Sequence, residues 1–357
     1  MNNPIAGNDD RPKKSYGLAI AVVVIVAALG AGIFFGPALI KPSVSAGKLC
    51  SGVNIDFFGG GTPQDVFAKV VYAGALQAQS DLGANVNYIW SGWDSDKMVS
   101  QFKDAVAGLP DAIAMMGHPG ASALGPLIDE AERKNIIVTM QNVDIPSVRT
   151  KYVSNGFGYV GQDVYGSGLL LGTGAVRKYN LKKGDESLVI GMFNKTGALA
   201  DRARRTDGIV DGLKQVGVIV HTVDVPPEVA ADYTSEISYQ WFSTQINKYP
   251  NIKVLLVDHN GGVTPAVAAD LKRMGKKPNE LPYGGFDLSS DTIKYIKEGY
   301  IGLISDQQPY LQGYLPILQS CLTKKYKFAG LFVDTGVGLI DSSNVDAVAN
   351  LAAKGVR

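Results

Sequence analysis

At 357 residues, 46% of them hydrophobic, the chain is long enough to build two lobes with substantial cores. Its 34 Lys and Arg balance 33 Asp and Glu, so no basic stripe argues for nucleic acid and no acidic tail argues for a solvating segment. The 42 glycines are scattered as turn residues without a short period, which excludes collagen-like and low-complexity chains.

Arg11, Lys13 and Lys14 precede an uncharged apolar run from Leu18 to Ile40. At roughly 20 residues or more such a run spans a bilayer, and the positive flank stays inside while everything after it is delivered outward. An uncleaved anchor is the first reading. Val44-Ser45-Ala46 is also a small-residue cleavage pattern, and removal after Ala46 would release a soluble protein. Gly47-Lys48 before Leu49-Cys50 does not match the approach to a lipidated cysteine. Cys50 and Cys321 are the only cysteines, and two alternatives stand: a disulfide in an exported protein, or two buried thiols far apart.

After the linker, Val53 to Phe58 reads as a strand, then Gly59-Gly60-Gly61-Thr62-Pro63 and a helix from about Asp65 to Leu82. No Gly-Lys-Ser/Thr and no GxGxxG follows, so the glycines read as a turn that lets the strand end sit close to a ligand, not as a phosphate loop. The unit repeats: strand Val86 to Trp90, helix Asp94 to Ala107 with Met98, Phe102 and Val106 on one face, strand Ala112 to Met116, helix Ala121 to Lys134, strand Ile136 to Met140. A second series follows Tyr159-Val160-Gly161-Gln162-Asp163 and a helix to about Tyr179. Its strands are Leu188 to Phe193, Val218 to Val223, Val254 to Val257 and Tyr283 to Phe286, alternating with helices near Arg202 to Val216, Tyr233 to Tyr249, Pro265 to Met274 and Ser290 to Glu298. Continuous apolar strands alternating with helices predict α/β lobes with doubly wound parallel sheets and a cleft between strand ends. Tyr300 to Ser305 then reads as a buried strand leading into the polar run Asp306 to Tyr314, which is either a loop capping a helix or part of a site for a polyhydroxylated ligand.

The strand ends carry Asp65 and Phe67; Trp93 and Asp94; His118; and Gln141, Asn142 and Asp144. From the second series come Arg202, Arg204 and Arg205, Tyr233, Asp258-His259-Asn260, Phe286-Asp287 and Gln307-Gln308. Aromatic faces beside carboxylate, guanidinium and amide groups suit a sugar, and charged partners make the stronger hydrogen bonds. Enzyme readings find less support. His118, His221 and His259 lack HxxxH or HExxH spacing, no GxSxG elbow occurs, and Asp258-His259 has no positioned nucleophile near it in sequence. No cofactor and no metal is expected.

Taken in order, Gln64-Asp65-Val66-Phe67, Asp94-Ser95-Asp96-Lys97, Leu109-Pro110-Asp111-Ala112-Ile113, Tyr159-Val160-Gly161-Gln162-Asp163, Arg205-Thr206-Asp207-Gly208, Asn260, Gly285-Phe286-Asp287 and Gln307-Gln308-Pro309 resemble the ribose-binding-like, type I periplasmic binding proteins of simple-sugar ABC transporters. The resemblance runs from about Val53 to the end. It implies two doubly wound lobes joined by a multi-strand hinge: an N-terminal lobe of 47–161 with 307–335 and a C-terminal lobe of 162–306 with 336–357, after 1–46 as cytoplasmic flank, membrane segment and linker. It further implies that Phe67 stacks on the sugar ring beside Asp65 and that Arg205, Asn260 and Asp287 bind hydroxyls. Phe286 and Tyr233 are implied as aromatics of the second lobe, and Gln307 as the hinge glutamine. Where the ribose-type pattern has an Asp-Arg pair, this chain has Gln141-Asn142, which counts against ribose and leaves room for another aldose or a polyol such as inositol, with Asp144, His118 or Trp93 compensating.

The function implied is extracytoplasmic capture of a monosaccharide or polyol by a monomer that delivers it to an ABC permease. The alternative is a sensor ectodomain serving a chemoreceptor or kinase. A DNA-binding regulator of the same fold would need a helix-turn-helix where the membrane segment stands.

Overall fold

The computed structural model describes residues 47–193, 199–259 and 261–357. The run from Leu18 to Ile40, the Val44-Ser45-Ala46 pattern and Asn260 lie outside the described residues. Among those described, no helix is long and apolar enough to cross a membrane.

The first lobe is built from β1 (Asn54–Phe58), α1 (Ala68–Leu82), β2 (Asn85–Ile89), α2 (Ser95–Gly108), β3 (Ala112–Met116), α3 (Gly120–Arg133), β4 (Ile137–Asn142), α4 (Pro146–Tyr152), a 3-10 turn (Val153–Asn155) and β5 (Gly158–Gly161). With β11 (Phe332–Asp334) they form a parallel sheet of order β11-β5-β4-β3-β1-β2. All five residues of β3 are buried, as a central strand covered on both faces requires. The α2 face is the one its spacing predicts, with Met98, Phe102 and Val106 buried, and Asp94 caps the helix by accepting from the Lys97 N–H.

The second lobe contains α5 (Val164–Tyr179), β6 (Glu186–Gly191), α6 (Leu199–Lys214), β7 (Ile219–Asp224), α7 (Pro227–Ala230), α8 (Glu236–Lys248), β8 (Ile252–Val257), α9 (Val263–Arg273), β9 (Tyr283–Phe286), α10 (Ser290–Glu298) and β10 (Leu303–Asp306). The sheet order is β12-β10-β9-β8-β6-β7, with β12 (Gly338–Ile340) the one antiparallel edge. The strands β11 and β12, three residues each, escape sequence reading because they are too short to show a period. Between β10 and β11 the chain runs through α11 (Pro309–Tyr326), which packs on α1 in the first lobe, and after β12 it ends in α12 (Val345–Ala353).

The backbone therefore crosses between the sheets three times, and the crossings are sewn together. Thr335 N–H donates to Gly161 O (2.8 Å) and Asp163 N–H to Asp334 Oδ1 (2.9 Å). Gln308 Nε2 donates to Thr335 O (2.9 Å) and Gln312 Nε2 to Gln307 O (2.9 Å) and Thr335 Oγ1 (3.1 Å). Arg357 closes the bundle, 3.2 Å from the fully buried Asp306 and donating to Gln308 Oε1 at 2.7 Å. Pro309 opens α11 in its first turn, where a missing N–H costs little. Of the two cysteine alternatives the structure has the disulfide: Cys50 and Cys321, Cα atoms 5.4 Å apart, tie the start of the first lobe to α11.

Candidate functional site

Parallel strands in both lobes point their carboxyl ends at one cleft, so whatever follows each strand is brought together there. The cleft encloses a cavity of about 270 Å³ lined by both lobes, a little under the roughly 300–1,000 Å³ of drug-sized pockets and suited to a small ligand.

The first lobe supplies an aromatic wall. Phe67 and Trp93 line the cavity with ring centroids 6.0 Å apart, and His118 lies 5.2 Å from the indole. Asp65 holds this wall in place: Oδ1 accepts from the Phe67 and Ala68 N–H groups (3.0 and 2.8 Å) and Oδ2 from Trp93 Nε1 (3.2 Å). The triple-glycine turn serves the indole, not the ligand as its sequence suggests. A Cβ on Gly60 or Gly61 would sit 2.6 or 2.5 Å from the Trp93 ring, so only glycines leave room for it.

The second lobe supplies a charged floor, organised by a residue that does not line the cavity. Asp258, fully buried after β8, accepts from Arg202 Nη1 and Nη2 (3.2 and 3.0 Å), Arg205 Nε (2.5 Å) and Thr206 Oγ1 (2.5 Å). Burial opposes its ionisation, yet the two guanidiniums outweigh burial and hold the carboxyl well below the usual carboxylate range. Arg205 also donates to His259 O (3.0 Å) and lies 3.9 Å over the Phe286 ring; burial and the neighbouring Arg202 push it down to about 10, still charged at neutral pH. Helix α6, which carries both arginines, is packed so tightly on α5 that a Cβ on Gly168 would lie 2.0 Å from the Arg205 carbonyl oxygen.

Between wall and floor runs a polar bridge. Asn142 Nδ2 donates to Gln307 Oε1 (3.2 Å) and Gln312 Oε1 (3.1 Å), and Gln307 Nε2 donates to Asp287 Oδ1 (2.6 Å). First lobe, hinge and second lobe are thereby joined through three cavity-lining side chains. Burial pushes Asp287 up to about 6 against the pull of Arg205 and the Gln307 amide. Burial with the two arginines pushes His118 down to about 3 and His259 to about 4, so both imidazoles are neutral at neutral pH. His118 Nδ1 is buried with no hydrogen-bond partner among the described residues. Trp93, Asn142 and Asp287 hold positive φ (63, 63 and 70°), as does Gln308 (52°); residues forced out of their preferred backbone regions gather at binding sites.

Ten of the strand-end candidates thus share the cavity: Asp65, Phe67, Trp93, His118, Asn142, Arg202, Arg205, His259, Asp287 and Gln307. Gln141 turns the other way and is fully buried, donating to Phe58 O (2.6 Å) within the sheet. Phe286 lies beneath Arg205, and Tyr233 packs edge-on behind His259 (5.1 Å), so neither lines the cavity and neither faces Phe67 across a ring. Asp144 is held by Arg149 (2.9 Å) and does not line the cavity, whereas His118 and Trp93 do. Beyond those candidates, Val66, Ser95, Met192, Gly261 and Gly262 line it. Arg202 was legible: it stands three residues before Arg205 on the same helix face. Met192 carries no such signal beyond its place after a strand.

A family model described as periplasmic binding protein domain matches residues 55–320. A xylose/arabinose-binding protein of Sulfolobus acidocaldarius is 30% identical over 279 residues, taking in 72% of this chain and 64% of that protein, so the match spans somewhat under two thirds of the relative. Among solved structures, a carbohydrate transporter from Acidothermus cellulolyticus 11B in complex with myo-inositol is similar with a TM-score of 0.70 at 24% identity, over 85% of this chain and 99% of that one. An ABC transporter solute binding protein from Burkholderia graminis C4D1M in complex with D-arabinose gives 0.69 at 22%, over 83% and 97%. At these identities the structural likeness is one of fold. With three quarters of its length matched by the family model, the chain belongs to the periplasmic binding protein domain family.

Proposed function

We propose that the chain binds a monosaccharide or related polyol between its lobes outside the cytoplasmic membrane and delivers it to the permease of an ABC transporter. The observation that carries this reading is the cavity itself: an indole and a phenyl face opposite two arginines fixed on one buried carboxylate, with neutral imidazole, amide and carboxyl groups between them. Rings offer apolar C–H faces a stacking surface, and the polar groups match hydroxyls. The relatives support the ligand class: one is named for xylose and arabinose, and two solved structures hold myo-inositol and D-arabinose.

The action is reversible binding without turnover. Residues 47–161 with 307–335 and residues 162–306 with 336–357 move as two bodies about the three crossings, and ligand favours the closed arrangement by its differential affinity. The apolar run from Leu18 to Ile40 anchors the protein in the membrane, leaving the lobes outside. Chemical analysis of ligand released from purified protein, followed by titration calorimetry with xylose, arabinose and myo-inositol, tests the proposal. One of these recovered unaltered and binding at micromolar strength or tighter, about −8 kcal/mol, supports it. Conversion of the sugar to products would show an enzyme instead.

A further inference from the structure

The strand starts, and with them the ends of the helices that run back between strands, lie at the pole of the first lobe farthest from the cleft. At this pole the stretch from Lys324 to Ala329 is exposed at every position, with Tyr326 54%, Phe328 55% and, just beyond, Leu331 49% exposed. Lys324, Lys325 and Lys327 flank these side chains in sequence, and Lys324 pairs with Asp111 (2.7 Å). Lys325 Nζ donates to Leu49 O (3.1 Å), Lys48 Nζ to Ser80 O and Lys327 Nζ to Lys324 O (3.2 Å), and none of the three makes an ion pair among the described residues. Exposed aromatics interleaved with lysines that make no ion pair among the described residues are the composition of a surface that rests in the headgroup layer of a bilayer.

The same place is where the chain leaves the lobe toward its apolar run. The Cys50–Cys321 bond and the Lys325–Leu49 contact fix residue 49 beside the exposed stretch. Only seven residues, Lys41 to Gly47, separate Ile40 from Lys48, a reach of about 25–30 Å when fully extended. Resting on the anchored reading above, we propose that Lys48, Lys325, Lys327, Tyr326 and Phe328 form a docking face for the surface of a bilayer carrying anionic headgroups. Docked so, the first lobe stands on its far pole, and the cleft is held about a strand length, roughly 17–20 Å, or more from the headgroups, open to solute.

The full chain reconstituted in nanodiscs of zwitterionic lipid, with and without an anionic lipid, provides the test by amide hydrogen exchange of the segment 322–332. The expected result is slower exchange in the anionic discs, reversed by high salt. In Lys325→Gln/Lys327→Gln the anionic preference should fall by about fivefold per lysine, with sugar affinity unchanged. Equal exchange in both disc types, in a chain that co-elutes with the discs, overturns the docking face alone. A chain that elutes apart from the discs, lighter by a leader ending at Ala46, overturns the anchor and the docking face together.

Discussion

Replacing Asp258 by Asn removes the charge on which the floor of the cleft depends. The carboxylate is fully buried and meets two guanidiniums and a hydroxyl at 2.5–3.2 Å. Arg205 is only 2% exposed, so it would lose, inside the protein, the carboxylate its guanidinium touches and keep only the pull of Asp287. Unit charges about 4 Å apart attract by about 4 kcal/mol at the effective dielectric of such sites, and breaking one partner of a buried pair costs about 3–5 kcal/mol. A domain holds about 5–15 kcal/mol in total. Asp258→Asn is therefore expected to lower the urea midpoint by an amount equivalent to about 3–5 kcal/mol at unchanged slope. Sugar affinity should fall at least about tenfold as both arginines lose their anchor. The pH dependence has a definite sign. A carboxyl depressed in the folded state contributes stability that is fully present above its unfolded value of about 3.9 and lost only as pH falls through the folded value. The gap between wild type and variant should then be flat from pH 5 to 8. A loss under about 1 kcal/mol with intact affinity, or a gap that closes over that range, would refute the assignment of Asp258 as the organiser.

In calorimetry, Arg205→Ala and Asp287→Ala should each lose about 2 kcal/mol or more of sugar affinity; unchanged affinity in both would contradict the placement of the ligand. Gly168→Ala puts a methyl 2.0 Å from the Arg205 carbonyl, so α6 must shift, with an expected loss of about 1–3 kcal/mol in stability and weaker binding; wild-type behaviour would show that the helix contact does not position the arginine. His118 and His259, depressed to about 3 and 4, should show no NMR titration between pH 5 and 8. Because the unfolded chain takes up these protons near 6.5, the two contribute stability that is lost as pH falls below that value; a midpoint near 6.5 for either ring in the folded protein would overturn this. Cys50→Ser/Cys321→Ser opens a loop of 271 residues and should cost about 5–6 kcal/mol by the chain-entropy estimate, read from the thermal midpoint.

The sheet core was readable because buried parallel strands are apolar runs: β3 and β9 match their predicted bounds, and the α2 face follows from spacing alone. What the sequence withholds is direction at the strand ends. Gln141 and Asn142 are adjacent and chemically alike, but one turns into the sheet and the other into the cleft, as neighbours on a strand alternate, and which of the two takes the cleft depends on a register that the sequence alone does not give. Aromatics are equally ambiguous. Phe67 faces the cavity, whereas Phe286 supports an arginine from below, a difference decided by which partner reaches each ring first. Asp258 was visible at a strand end, and its role was not, since the three side chains that converge on it come from α6, more than fifty residues earlier.

The order in which the chain is made bears on the three crossings. When residue 306 has been synthesised, each sheet has five of its six strands, but both remain unfinished. Helix α11, whose Ile317 and Cys321 belong to the core over β1 and β3, is still to come, as are the edge strands β11 and β12 and helix α12. Residues 307–335 complete the first lobe and 336–357 the second in a single pass, so neither lobe reaches its final packing before residue 307 has been made. A nascent chain stalled before α11 would present two open apolar faces at once, and the passage from there to the closing disulfide is the step at which assistance from a chaperone would matter most.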